Sequence, residues 1–224
     1  MNSKKIENYK KKLKLKKLQR EIIVGTLLGD GHLETQNKGK TYRLKIEHSI
    51  KQKEYLEWMY KQFESWVNGN IKYRKCYSKF PNGTEKISQK CSFTTYSHGI
   101  LRFYGQQFYS KKGIKIIPKL IEKLLTPVSI AIWYLDDGSF KSEKHKTFII
   151  HSHGYKKNEL EIIQKCFLKF GIKTKLHKQK RKEGIYWRIY VLSDSAERFV
   201  KIIKPIINQI PSMEYKLGNK LPKR

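Results

Sequence analysis

The chain has 224 residues and carries 49 Lys and Arg against 19 Asp and Glu, a formal charge of +30. That length allows one large domain or two of about 110 residues. The charge points to a polyanionic partner, nucleic acid first, while the 12% aromatic content is more than ribosomal or chromatin proteins usually carry. No apolar run approaches the roughly 20 residues that cross a bilayer. Three scattered cysteines, Cys76, Cys91 and Cys166, lack CxxC spacing, which argues against a disulfide framework or a zinc site.

Residues 1–20 hold eight lysines and Arg20 against the single acid Glu7, and read as a basic arm running into the first helix. An import signal is the lesser reading, because transit peptides are rich in Arg and Ser. Residues 20–29 read as an apolar helix, which stops at Asp30-Gly31 in the run IIVGTLLGDG at 22–31. In TYRLKIEHS at 41–49, Tyr42, Leu44 and Ile46 alternate with Arg43, Lys45 and Glu47, the period of a half-buried strand. Residues 52–67 set Tyr55, Leu56, Met59, Phe63 and Trp66 at helical spacing. Strands near 70–77 and 87–95 follow, joined by a Pro-Asn-Gly turn at 81–83, with Ile87, Cys91 and Phe93 sharing one face. A helix over about 98–109 closes this half, and 110–126 lead onward, with Pro118 and Pro127 as good helix starts.

The same order then returns. IAIWYLDDG at 130–138 is a second apolar helix, over 127–136, stopping at Asp137-Gly138. Short strands at 138–141 and 147–153, a helix at 157–169, strands near 173–179 and 185–192, and a helix from about 194 to 204 complete it. The last strand places Ile185, Trp187, Ile189 and Val191 inward. The chain is therefore expected to be α+β, with two pseudo-symmetric αββαββα halves. Its parts are an arm at 1–20, a first half at 21–110, a linker at 111–126, a second half at 127–204, and a tail at 205–224.

Asp30 and Asp137, about half the chain apart, are the informative residues. A helix C-terminus carries partial negative charge, so an aspartate there is unfavourable by roughly 0.3–1 kcal/mol, and two side by side repel. Gly31 and Gly138 are expected to end the helices as left-handed caps; the aspartates do nothing for helix stability. A divalent cation would resolve the repulsion, since Mg²⁺ prefers carboxylate and carbonyl oxygens. Asp-Gly is also a common turn pair, but two copies in matched settings favour chemistry over turns.

The polar strand faces carry a second signal. Arg43, Lys45, Lys72, Arg74, Ser88 and Lys90 would line one sheet, and Lys173, Lys175, His177, Gln179, Tyr186, Arg188 and Tyr190 the other. A two-stranded ribbon fits the major groove, where Arg, Lys, Gln and Ser read base edges. The alternative is a solvated face, and many of the lysines will meet only phosphate. His151 and His153 could bind a metal, but read first as a DNA-facing pair.

IVGTLLGDG and IAIWYLDDG resemble the two motif copies of LAGLIDADG homing endonucleases of the single-chain, two-motif type. KIIPKLIEKLLTP at 115–127 and PSMEYKL at 211–217 extend the similarity over nearly the whole chain. The resemblance implies motif helices packed together at the interface, antiparallel sheets forming a DNA-binding saddle, and final motif acids that coordinate metal at the scissile phosphates. Those acids match Asp30 and Asp137, with Gly29 and Asp136 before them as carbonyl ligands; Asp136 stands where the motif has alanine and is not taken as a catalytic acid. Gly25 and Gly29 form a small-residue surface expected to face Ile132 and Trp133. Lys115 and Lys216 match basic residues that act on the phosphate or the attacking water. The implied activity is a double-strand break in a long DNA site, dependent on Mg²⁺ with Mn²⁺ able to substitute, leaving short 3′ overhangs and promoting intron mobility. A monomer in an organelle follows from the same resemblance. RNA maturase activity on intron RNA, or DNA binding without cleavage, are the alternatives on this fold.

Overall fold

A computed structural model describes residues 4–79, 83–142, 147–181 and 184–218 of the chain. The first half runs α1 (Lys4–Lys11), α2 (Lys17–Leu28), β1 (His32–Glu34), β2 (Arg43–Ser49), α3 (Lys53–Phe63), β3 (Lys72–Lys79), β4 (Glu85–Thr94) and α4 (Arg102–Phe108). A short α5 (Ile121–Leu124) lies in the connection. The second half runs α6 (Pro127–Asp137), β5 (Gly138–Phe140), β6 (Phe148–Ile150), α7 (Lys157–Lys169), β7 (Thr174–Arg181), β8 (Gly184–Val191) and α8 (Ala196–Ile207). From α2 to α4, and again from α6 to α8, the order is the expected αββαββα. Both sheets are antiparallel, in the orders β1-β2-β4-β3 and β5-β6-β8-β7.

Helices α2 and α6 form the seam between the halves. Each is buried nearly all round, as a helix without a polar face must be. Helix α6 starts sharply, because Pro127 fills its first position and the Thr126 and Ser129 hydroxyls each accept the other's backbone N–H, at 3.2 and 2.7 Å respectively. Close approach needs the glycines of α2. A Cβ on Gly25 would lie 2.6 Å from Ile132 Cβ, and one on Gly29 would lie 2.5 Å from Asp136 Cβ. The partner of Gly29 is thus Asp136 and not Trp133. The Trp133 ring turns the other way, edge-on to Tyr155 and Phe167. Two tyrosines cross the seam reciprocally: Tyr55 of α3 donates to the Asp136 carboxylate at 2.7 Å, and Tyr155 donates to the Leu28 carbonyl at 2.8 Å.

Several expectations are corrected here. Gly31 and Gly138 are not left-handed caps, since Gly138 has φ −85° and neither has positive φ. Both are steric necessities instead. A Cβ would lie 2.5 Å from Thr26 Oγ1 at Gly31 and 2.1 Å from the Tyr134 ring at Gly138. Ile87 and Ile185 do not face the core but are 62% and 55% exposed, because the outer ends of the β3–β4 and β7–β8 ribbons overrun the helices. Strand β6 stops at Ile150, so His151 and His153 follow it rather than lie on it. The arm contains α1, tied down by Tyr9 donating to the Ser65 carbonyl and by the His98 ring against the Lys10 carbonyl. Helix α8 passes Pro205 and ends at Ile207, beyond the expected boundary at 204. Pro81 and Asn82 of the predicted turn lie outside the described residues.

The Gly29 contact sets a measurable limit. Gly29→Ala should lower unfolding free energy in urea by about 1–3 kcal/mol, because the seam must open. Gly154→Ala, where a Cβ meets nothing within 4 Å, should stay within about 0.5 kcal/mol of the parent.

Candidate active site

The seam delivers three carboxylates to one place. Asp137 ends α6, Asp136 precedes it, and Asp30 lies just past the end of α2. The Asp136 side chain is fully buried, with Oδ2 accepting from the Thr26 hydroxyl at 3.0 Å and the Asp30 backbone N–H at 3.1 Å. Its Oδ1 accepts from Tyr55. Thr26 in turn accepts the Gly31 N–H at 3.1 Å. The second half thereby holds the backbone of the first half's motif acid.

Burial sets the electrostatics. It pushes Asp137 up to about 7, helped by the Asp30 charge and opposed by the Trp133 N–H, Lys115 and Lys216. The Trp133 indole donates to Asp137 Oδ2 at 3.2 Å. Asp136 is pushed well above the usual carboxylate range, again by burial first and by Asp30 second. The Asp30 side chain is 46% exposed at the mouth of the site. Lys115 and Lys216 are both inserted here, and burial lowers both ammonium groups while the three acids oppose it. Lys115 Nζ donates to the Gly29 carbonyl at 2.6 Å, and Lys216 Nζ to the Gly138 carbonyl at 2.5 Å. One lysine thus holds the carbonyl before Asp30, the other the carbonyl after Asp137. The Gly29 carbonyl, expected as a metal ligand, carries Lys115 in this structure. Asp136, expected to offer its carbonyl, brings its side chain into the cluster instead.

One neighbour was missed. His48 occupies the inward column of β2 with Leu44 and Ile46, and its side chain is 1% exposed. Its Nδ1 lies 3.5 Å from Asp30 Oδ2 and its Nε2 lies 3.8 Å from Asp136 Oδ1. Burial lowers it to about 4, although the Asp30 charge acts the other way. The signal was present, since a polar residue continued an apolar alternation. Donor atoms of Asp30, His48 and Asp136 all lie within 4.8 Å of one another. Carboxylates and an imidazole in that space suit a divalent cation.

The predicted sheet residues gather on two faces. Register places Arg43, Lys45, Lys72, Arg74, Ser88 and Lys90 together with Glu34 and Glu47 on the first. These two acids, not among the predicted DNA contacts, organise it. Glu34 binds Arg43 at 2.7 Å and Lys45 at 3.7 Å, while Glu47 takes two bonds from Arg74 and one from Lys90. Burial would raise Glu47, but Arg74 and Lys90 bring it down to about 2. On the second face Lys175, His177 and Gln179 stand opposite Tyr190, Arg188 and Tyr186. His177 stacks on Tyr190 with centroids 3.9 Å apart, and strands β5 to β8 contain no acid. Lys173 differs: it precedes β7 and its ammonium binds Asp194 at 3.1 Å. His151 and His153 are adjacent, but His151 pairs with Ser139 at 2.9 Å and His153 accepts from Arg188 at 3.1 Å.

A model of the LAGLIDADG DNA endonuclease family matches residues 20–199. The chain belongs to that family. The solved structure of the homing endonuclease I-WcaI bound to its DNA recognition sequence matches with TM-score 0.82 and 28% identity, over 98% of this chain and 95% of that one. A probable intron-encoded endonuclease 1 of Wickerhamomyces canadensis is 31% identical over 96% of this chain and 91% of its own length. The cytochrome b mRNA maturase bI2 of Saccharomyces cerevisiae is 33% identical over 89% of this chain, which spans 47% of that protein. In family terms, the motif copies are α2 and α6, and no described helix is long and apolar enough to cross a membrane.

The raised Asp137 implies a stability penalty with a definite pH sense. Between about pH 4 and 7 the folded chain holds a proton there that the unfolded chain has released, so stability falls as pH rises through this window. Asp137→Asn should therefore stabilise the metal-free, DNA-free protein at pH 7.5, on the order of 1–3 kcal/mol. The gain should shrink toward zero near pH 4, as read by urea unfolding in chelator.

Proposed function

We propose that the chain is a site-specific homing endonuclease that breaks both strands of a long DNA target. The observation that carries this reading is the meeting of Asp30 and Asp137, one from each half, at a seam flanked by two basic sheet faces. Two strands need two acids, and the fold supplies one from each copy. Asp30 and Asp137 would hold divalent ions, Mg²⁺ or Mn²⁺, with Gly29 and Asp136 contributing around them. When bound, such an ion supplies Lewis-acid stabilisation of phosphate charge and lowers the pKa of water. Lys115 and Lys216 place buried positive charge beside the acids, where the scissile phosphates bring negative charge. Buried ammonium groups act strongly there, because little water screens them.

Lys175, His177, Gln179, Tyr186, Arg188 and Tyr190 would meet one half of the target, and Arg43, Lys45, Lys72, Arg74, Ser88 and Lys90 the other. Lys173, held by Asp194, would contribute phosphate attraction at the edge. Short 3′ overhangs, a role in intron mobility, a monomer and an organellar setting are parts of the same reading. The similarity to the yeast maturase supports a second reading, in which intron RNA is also a partner. Both motif acids stand in place, which favours cleavage.

The experiment is cleavage of a randomised duplex library with Mg²⁺. The parent should yield one long site, cut across both strands. Asp30→Asn and Asp137→Asn should each lose double-strand cleavage by at least about a hundredfold, since each removes charge used in the transition state, while duplex binding stays within a few-fold. Parent-like cleavage in either variant would sink the proposal. Duplex binding without cutting by any of the three would transfer it to intron RNA.

A further inference from the structure

The two halves of the centre are not chemically equivalent, and the difference lies behind Asp30. His48 puts an imidazole into the apolar column of Leu44 and Ile46, where burying a polar ring without partners is unfavourable. Both ring nitrogens are buried and neither makes a hydrogen bond of ordinary geometry, the Gln52 side chain being the polar group that comes nearest to making one. The Tyr55 ring lies against the imidazole, centroids 4.9 Å apart, and fixes its plane. Thus a packed imidazole with poorly satisfied nitrogens is aimed between two carboxylates.

The spacing has a specific meaning. Nδ1 and Asp30 Oδ2 are 3.5 Å apart, beyond the usual 2.7–3.2 Å of an N–H···O bond. Two ligands about 2.0–2.1 Å from one ion at a tetrahedral angle stand about 3.4 Å from each other. On the far side of the ring, Nε2 faces Asp136 Oδ1 at 3.8 Å. Among the described residues that oxygen accepts from Tyr55 alone and keeps one lone pair, whereas Oδ2 carries both Thr26 and the Asp30 N–H. A carboxylate behind an imidazole whose other nitrogen faces an ion is the usual arrangement for orienting a histidine ligand.

The other half lacks each part. Counting from the motif acids aligns the pair His32–Lys45 with Ser139–Ile149, so His48 corresponds to Ser152. Ser152 is buried but satisfied, donating to the Trp187 carbonyl at 3.1 Å. The counterpart of Asp136 is Gly29. Among the described residues, only the Asp30 side combines an imidazole with a carboxylate behind it.

We propose that His48 Nδ1 and Asp30 Oδ2 form a mixed nitrogen–oxygen metal site, with Asp136 orienting the imidazole, which takes borderline transition ions such as Zn²⁺ and Co²⁺ without DNA. Imidazole ligation favours such ions over Mg²⁺, and the exposed Asp30 leaves the remaining positions open to water. The inference rests on reading Asp30 as a metal ligand.

The test uses the full chain, stripped of metal and free of DNA. Co²⁺ is titrated by visible absorption, Zn²⁺ by calorimetry, and the ¹⁵N-labelled histidines are followed by long-range NMR. Expected are one ion per chain, a Zn²⁺-dependent shift at His48 Nδ1, and Nε2 remaining protonated. His48→Gln and Asp30→Asn should each weaken Co²⁺ binding at least tenfold and Asp136→Asn about tenfold. Unmoved His48 nitrogens at saturating Zn²⁺ overturn the proposal, and this NMR outcome needs no variant to fold. If that occurs while the parent still cuts DNA with Mg²⁺, only this inference fails. Cleavage by the parent in chelator would remove the reading of Asp30 beneath it.

Discussion

Everything at the centre depends on how closely α2 and α6 approach. Gly29 and Asp136 are pressed together at a distance that admits no side chain on the first. This contact brings the Asp136 carboxylate within reach of the Asp30 N–H and the Thr26 hydroxyl. It also sets Tyr55 and Tyr155 to bridge the halves. The seam is both the hydrophobic core and the frame of the site, so packing and positioning cannot be varied separately.

The same closeness creates electrostatic tension. Asp136, Asp137 and two lysines are withdrawn from water in one small region beside the more exposed Asp30, and burial drives those two acids up and the lysines down. Neutralising pairs and hydrogen bonds offset part of this, but Asp137 retains a strongly raised pKa. Such a centre is less stable than an apolar seam of equal volume would be. Its composition makes sense as preparation for polyvalent charges from outside, cations at the acids and phosphates at the lysines.

Much of this was legible in the sequence because apolar periodicity decides helices and strands. The α7 bounds, the repeat order and the facing of Leu44, Ile46, Cys91 and Phe93 follow from period alone. Asp30 and Asp137 stood out because acids at helix ends run against the dipole. What was not legible was three-dimensional pairing. Nothing in GTLLGDG says that Gly29 meets Asp136, or that Gly31 is small because of Thr26 and not because of φ. Glu47 read as an ordinary alternating polar position and Glu34 carried no reading until register set them beside Arg74 and Arg43. His48 stood out as one polar residue in an apolar column, but that carries no sign of what lies across the seam. Ile87 and Ile185 misled for the converse reason: alternation continues where the covering helices have ended.

The unequal pairing at the seam also bears on the chain's ancestry as a duplicate. Two first halves placed together would set Gly29 against Gly29, leaving a gap and no acceptor for the Asp30 N–H. Two second halves would set Asp136 against Asp136, two buried acids at contact distance with no Thr26 to receive either. Neither half can any longer replace the other. Each half is shaped to the other like a lock to its key, and the join between them is specific to this one pairing.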